Sequence, residues 1–153
     1  MTTGMQTAGA GPIRVLLVDD HHHVLWGLGK LIEGEWPHMV LAGTATTVRE
    51  AQTFLRGHGT DVIVLDIYLG RENSLDRLPW LLEESGARAV VLTGARDTSL
   101  HRRALRDGAT AVVMKDAPAE VLLTAIRKAH AAAPVSQESH RNSAQPDVFR
   151  LGK

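Results

Sequence analysis

The chain contains no cysteine. That excludes a disulfide framework, thiolate zinc sites and cysteine nucleophiles together. Aromatic residues are scarce, at 4% of 153 residues, and no apolar run approaches the roughly 20 residues that span a bilayer. A dominant charge is also missing. Seventeen Lys and Arg balance seventeen Asp and Glu, which weakens any case for an electrostatic grip on nucleic acid by this chain alone. Met1 to Pro12 lacks the basic and apolar regions of a secretory signal peptide. What is present, 44% hydrophobic and 22% charged residues, suits an ordinary globular domain and is too apolar for a disordered one. The expectation is a single cytoplasmic domain with short tails.

The chain divides by pattern. Residues 1–12 (MTTGMQTAGAGP) are small and Gly-rich and are expected to form a flexible arm. Ile13–Val18 (IRVLLV) is a nearly continuous β-prone run, as suits a strand buried on both faces of a parallel sheet. Similar runs recur at 39–42, 61–65, 89–93 and 111–114. Between them lie helical periodicities. The first carries Val24, Leu25, Leu28, Leu31 and Ile32 and stops at Gly34 and Pro37. The second opens on Thr47 with Glu50 three residues on, the pattern of a capping box, and carries Val48, Ala51, Phe54 and Leu55. The third holds Leu78, Leu81 and Leu82, ends near Gly86, and has Pro79 where only a first turn accommodates it. The fourth covers about 98–107 before Gly108, and the fifth runs from a first turn at Pro118 through Val121, Leu122, Ala125, Ile126 and Ala129. Five strands alternating with five helices predict an α/β domain with a parallel sheet. After Ala131 the pattern stops, and 133–153 reads as a linker or disordered tail.

In an open parallel sheet, ligands bind outside the carboxyl ends of the strands. The first strand ends on Asp19-Asp20, the third on Asp66, the fourth on Thr93 and the fifth on Lys115. Three carboxylates, a hydroxyl and an ammonium thus converge on one edge, with no glycine-rich phosphate loop. Crowded carboxylates repel one another, so a cation should share the site. Oxygen ligands of this kind suit Mg²⁺. Taken singly, the acidic pair could be a helix cap and Asp66 the start of a turn. One such feature at the end of each of four strands is harder to dismiss.

At these residues, VLLVDD at 15–20, VIVLD at 62–66, VVLTG at 90–94 and AVVMKD at 111–116, the chain resembles the receiver domain of two-component response regulators. The resemblance covers about 13–132. It implies a flavodoxin-like, doubly wound five-stranded parallel sheet of order 2-1-3-4-5 flanked by five helices. It also implies that Asp66 is the phosphoacceptor for a partner sensor histidine kinase. Asp19, Asp20 and Asp66 would hold Mg²⁺ with the backbone carbonyl of Tyr68, Thr93 would be the switch hydroxyl, and Lys115 would pair with the phosphoryl oxygens. Such a domain is a signalling protein rather than an enzyme, though it accepts a phosphoryl group and can lose it to water. DDHHHV at 19–24 and GATAVVMKDAPAEVLLTAIRKA at 108–129 resemble the subfamily that precedes a LuxR/NarL-type helix-turn-helix domain. The stretch after Ala131 is too short for that domain. It is expected to be the linker to it, or else the end of a stand-alone receiver. DNA would be reached only through the absent domain, no membrane contact is implied, and phosphorylation is expected to favour a homodimer.

The sequence departs from the family pattern in places. Gly70 stands where the loop after the phosphoacceptor commonly has proline, and the interval from Asp66 to Thr93 is slightly short, which predicts that the third helix or its entry is irregular or trimmed. The aromatic switch position is Val112. Tyr68, two residues after Asp66, is bulky enough to crowd an attacking water, or is simply a tyrosine at the pocket rim. His21, His22 and His23 cannot all reach one metal from a single helix face. The expectation is an exposed first turn with one imidazole near the acidic cluster. Trp26, Trp36 and Trp80 could mark a surface patch, with one or two of them in the core. Two other classes share part of the pattern. A haloacid dehalogenase-type phosphatase also uses Asp, Thr, Lys and acidic Mg²⁺ ligands, but in the opposite chain order. A phosphate-independent interaction module would keep the fold without signalling.

Overall fold

The computed structural model describes residues 11–132 and 150–151. Ile13–Val18 forms β1, and its unbroken apolar run is divided by the pleat of the strand. Val15 and Leu17 face one layer of helices, while Leu16 and Val18 face the other. The chain then alternates: α1 (His22–Glu33), β2 (Met39–Ala45), α2 (Val48–Gly57), β3 (Val62–Leu65), a hairpin of β4 (Tyr68–Leu69) and β5 (Glu72–Asn73), a 3₁₀ turn (Ser74–Asp76), α3 (Leu78–Ser85), β6 (Arg88–Thr93), α4 (Thr98–Arg106), β7 (Ala111–Met114) and α5 (Ala119–Ala131). The main sheet has the order β2-β1-β3-β6-β7. Since β4 and β5 stand apart as a hairpin, this is the expected 2-1-3-4-5 order, with every pair parallel. One feature was not foreseen. Arg150–Leu151 forms a two-residue strand, β8, which pairs in parallel with Val112 and Val113 at the open edge of β7. The rest of the expected tail over 133–153, and the arm up to residue 10, lie outside the described residues.

Helices cover both faces, as a parallel sheet requires. Leu25 and Ile32 of α1 and Leu122, Leu123 and Ile126 of α5 pack on Val15, Leu17, Val62, Val64, Val90 and Leu92. On the other face, α2, α3 and α4 contribute Ala51, Leu78, Leu81 and Ala104 against Leu16, Ile63, Leu65 and Val91. Val112 is buried there, so no aromatic ring occupies the expected switch position. The strand expected at 39–42 runs on to Ala45 and contains a bulge, because Val15 and Leu16 pair with Leu41 and Gly43 and pass over Ala42. Gly43 is required at that bulge. A Cβ there would lie 2.4 Å from the Phe54 ring.

The α2 cap forms in altered guise. The Thr47 hydroxyl accepts the Glu50 N–H at 3.0 Å, but the Glu50 carboxylate returns to the N–H and hydroxyl of Thr46 rather than to the cap residue. Pro118 caps α5 from outside instead of lying in its first turn. The entry to the third helix is irregular, as its short interval predicts: a hairpin and a 3₁₀ turn precede an eight-residue α3 with proline in its first turn. Of the tryptophans, only Trp80 packs against the core; Trp26 and Trp36 are 70% and 65% exposed. No described helix is long and apolar enough to cross a membrane.

Candidate functional site

Asp19, Asp66 and Lys115 each sit one step past a strand, Thr93 is the last residue of its strand, and Asp20 follows Asp19. Val18 pairs with Leu65, and the ladder continues through the Asp66 N–H to the Val18 carbonyl at 3.0 Å, so Asp19 and Asp66 emerge side by side. Thr93 pairs with Met114, and the Lys115 N–H donates to the Thr93 carbonyl at 2.9 Å. From that position the Lys115 ammonium lies 2.9 Å from Asp66 Oδ2 and 2.8 Å from Asp19 Oδ2. Parallel register alone therefore brings residues almost a hundred positions apart into one ion-paired cluster. Asp19, Asp66 and Thr93 are all buried.

Burial is the largest influence on Asp66, and the Asp19 carboxylate adds to it. The contacts with Lys115 do not offset both, so the Asp66 carboxyl is pushed above its ordinary value. Burial also opposes the charged form of Asp19, but hydrogen bonds from Lys115 and His21 outweigh it and hold that carboxyl below its ordinary value. Burial works against the Lys115 ammonium too, yet its two carboxylate partners hold it above the ordinary lysine value. The Thr93 hydroxyl accepts the Ala95 N–H at 3.0 Å, which leaves its own hydrogen available to donate.

The acidic pair does not cap α1. His21 is the N-cap and makes no side-chain capping bond. Asp19 Oδ1 accepts the His21 N–H at 2.9 Å, and the His21 imidazole Nδ1 approaches the same oxygen at 3.0 Å. One imidazole therefore stands at the acidic cluster, while His22 and His23 are exposed. Asp20 Oδ2 accepts the Gly70 N–H at 2.7 Å and so ties the hairpin to the acidic pair. The turn between β4 and β5 needs Gly70, whose φ is 62°. That explains glycine where proline was the family expectation.

Sequence reasoning missed Ser74. Fully buried, its hydroxyl donates to the Asp66 carbonyl at 2.6 Å, and its N–H donates to the Ile67 carbonyl at 2.7 Å. It fixes the backbone from which the Asp66 side chain projects. No local signal marks it, because the contact depends on the hairpin folding back.

The donor set fits a divalent cation. Ligand atoms from Asp19, Asp20, His21 and Asp66 all lie within 4.8 Å of one another. Asp19 Oδ2 faces the Lys115 ammonium at 2.8 Å, and Asp20 Oδ1 faces His21 Nδ1 at 3.1 Å. Three carboxylates crowded so closely favour a divalent cation among their oxygens.

A doubly wound sheet that gathers carboxylates, a hydroxyl and an ammonium at its carboxyl edge defines a class of domain suited to hold a cation and an anion together. The sequence profile of the response regulator receiver domain matches residues 15–127, and the chain belongs to that family. It is 30% identical over 129 residues to the nitrate/nitrite response regulator protein NarL of Escherichia coli, covering 84% of this chain and 59% of NarL. The chain spans less than two thirds of the length of such curated relatives, with shares from 29% to 59%. Among solved structures, it is similar to a LuxR-family two-component response regulator from Aurantimonas sp. SI85-9A1. The TM-score is 0.72 at 26% identity, covering 88% of this chain and 99% of that one. It is also similar to the beryllofluoride-activated NtrC4 receiver domain dimer, with a TM-score of 0.68 at 29% identity over 76% of this chain and 95% of that one. Membership of this family sets aside the haloacid dehalogenase reading.

Proposed function

We propose that Asp66 accepts a phosphoryl group from a sensor histidine kinase and that residues 13–132 act as a phosphorylation-controlled switch. The observation that carries this reading is the Lys115 ammonium lying within 3 Å of both Asp66 and Asp19, with Thr93 buried at the end of the neighbouring strand. In the transfer, an Asp66 oxygen forms a bond to phosphorus as the phosphorus–nitrogen bond of phosphohistidine breaks. The departing nitrogen keeps the bonding pair. Such a reaction needs in-line positioning and neutralised oxygens more than covalent assistance. Lys115 would shift from the free carboxylate to the phosphoryl oxygens, and Thr93 would donate its hydroxyl hydrogen to another. Asp19, Asp20, Asp66 and the Tyr68 carbonyl are the groups that would hold Mg²⁺, which supplies positive charge to the transferring phosphoryl group. Drawing Thr93 and Lys115 inward would move the loops leading into α4 and α5, and with them the surface offered to a second receiver.

We read the chain further as the receiver part of a LuxR/NarL-type transcription regulator, with DNA binding in a part outside these residues. The greater length of its curated relatives and the LuxR-family structure support this; a stand-alone receiver is the alternative. The deciding experiment is intact-mass analysis after incubation with acetyl phosphate and Mg²⁺. One phosphoryl adduct is expected on the wild type and none on Asp66→Asn. An adduct that persists in Asp66→Asn refutes the assignment. Sedimentation with and without beryllofluoride tests the dimer, for which the NtrC4 receiver dimer is the supporting parallel.

A further inference from the structure

We propose that His101 is a positioning residue that ties helix α4 to the Thr93 hydroxyl, so that closure of Thr93 on a phosphoryl group carries α4 with it. The inference rests on the reading of Asp66 and Thr93 as a phosphorylation-controlled switch. It adds the route by which that switch leaves the site.

The route is a chain of two hydrogen bonds. The Ala95 N–H donates to the Thr93 hydroxyl at 3.0 Å, and His101 Nε2 lies 2.7 Å from the Ala95 carbonyl oxygen. A carbonyl only accepts, so Nε2 carries the hydrogen and donates it. Ala95 thus has its N–H on the switch hydroxyl and its carbonyl on α4. Among the described residues, the Thr93 hydroxyl has no second hydrogen-bond partner. A displacement of Thr93 must therefore carry His101 along or break one of the two bonds.

The start of α4 puts the imidazole where the loop needs it. The Asp97 carboxylate caps the helix, accepting the Ser99 N–H at 2.9 Å and the Ser99 hydroxyl at 2.7 Å. The His101 N–H donates to the Asp97 carbonyl at 3.3 Å. Helical side chains lean toward the N-terminus, so His101 reaches back over the first turn to Ala95. Both residues are half-buried, which keeps water from the bond. Val112, packed in the same apolar cluster as Ala104 and Leu105, has no polar side-chain atom with which to make such a link.

The other ties on these segments are weaker. Arg103, two positions on and so on another side of the helix, pairs with Asp76 at 2.7 Å in the turn after the hairpin. Arg96 pairs with Asp116, the residue after Lys115. Asp76, Arg96 and Asp116 are exposed, and ion pairs of that kind hold little. The apolar anchor of α4 is also slender. It buries Ala104 and Leu105, whereas α5 buries five residues. When Thr93 moves, the surface pairs therefore yield before the shielded imidazole bond, and α4 follows.

The test is nuclear magnetic resonance of the full chain with and without beryllofluoride and Mg²⁺, in the wild type, His101→Gln and His101→Leu. In the wild type, the amide resonances of Thr93, Ala95 and residues 98–106 should all shift. The His101 Nε2 hydrogen should remain visible in both states. In His101→Leu the Ala95 shift should persist while those of α4 fall about threefold. His101→Gln, whose amide nitrogen can donate in place of Nε2, should restore them. Undiminished α4 shifts in His101→Leu overturn the proposal, as does a Gln variant that behaves like the Leu variant. Loss of the Nε2 hydrogen on beryllofluoride binding also overturns it, and that measurement needs no variant to fold. If acetyl phosphate still labels Asp66 in those cases, the phosphoacceptor reading stands and only the His101 link falls. A wild type with no response to beryllofluoride would remove both.

Discussion

Replacing Lys115 with methionine keeps the aliphatic stem and deletes the one cation between two buried carboxylates. At an effective dielectric of about 20, each contact near 2.9 Å is worth about 6 kcal/mol of gross attraction. Most of that is offset by the cost of burying the ammonium. The net loss follows instead from what is left behind, since breaking a buried pair by removing one partner costs about 3–5 kcal/mol. The Lys115 side chain is still 23% exposed, so a loss of about 3 kcal/mol is expected, near the lower end of that range. In urea, with a slope of about 2 kcal/mol per molar, the unfolding midpoint should fall by about 1.5 M.

The pH dependence gives the signature. A carboxyl raised in the folded state favours folding as pH drops from its folded toward its unfolded value, whereas a lowered one loses its contribution as pH falls through the folded value. In the wild type, Asp66 is raised and Asp19 lowered, so the two trends oppose each other. Without Lys115, Asp19 loses a main source of its lowering and Asp66 rises further. The variant should therefore gain on the wild type as pH is taken from 7 toward about 5. Adding Asp66→Asn, which removes one of the repelling charges, should restore about half of the lost stability or more. Urea unfolding of the wild type, the single variant and the double variant, followed by circular dichroism at several pH values, measures all of this. A Lys115→Met protein as stable as the wild type at every pH, or a double variant no better than the single, would refute the reasoning.

Three further outcomes are expected. Ser74→Ala leaves the Asp66 carbonyl without its buried partner and should lower stability by about 1–3 kcal/mol in urea unfolding; it should also slow acetyl phosphate labelling, because the loop carrying Asp66 loosens. Gly43→Ala forces a Cβ into the Phe54 ring and should cost about 1–3 kcal/mol, with Phe54→Leu in the same chain recovering part of it. Tyr68, 47% exposed at the pocket rim, should shield the phosphoryl group from water, so Tyr68→Ala should shorten the lifetime of the adduct in a chase followed by intact mass. An unchanged lifetime would leave Tyr68 as a rim residue only.

Local patterns carried much of this protein. The β-prone runs, the Thr47 cap signal, Pro79 in a first turn and Gly86 after a helix are read from a few neighbouring residues, because dihedral preference and side-chain period act over that range. The candidate site was legible for a related reason. In a parallel α/β sheet the ends of the strands share one edge, so locating each strand also located Asp19, Asp20, Asp66, Thr93 and Lys115. The rest depended on contacts between distant segments. Which alternate residues of β1 meet which helix layer is set only when both layers are present. The Asp20 to Gly70 bond, the Ser74 hydroxyl under Asp66 and the pairing of β8 with β7 join residues that no local pattern connects. The exposure of Trp26 was settled in the same way, since an amphipathic period shows that a helix has a buried face but not how far its neighbours extend over the margin. The division of the Asp19 oxygens between His21 and Lys115 likewise belongs to the tertiary structure, because ångström-scale distances arise only once register, hairpin and helix start are fixed together.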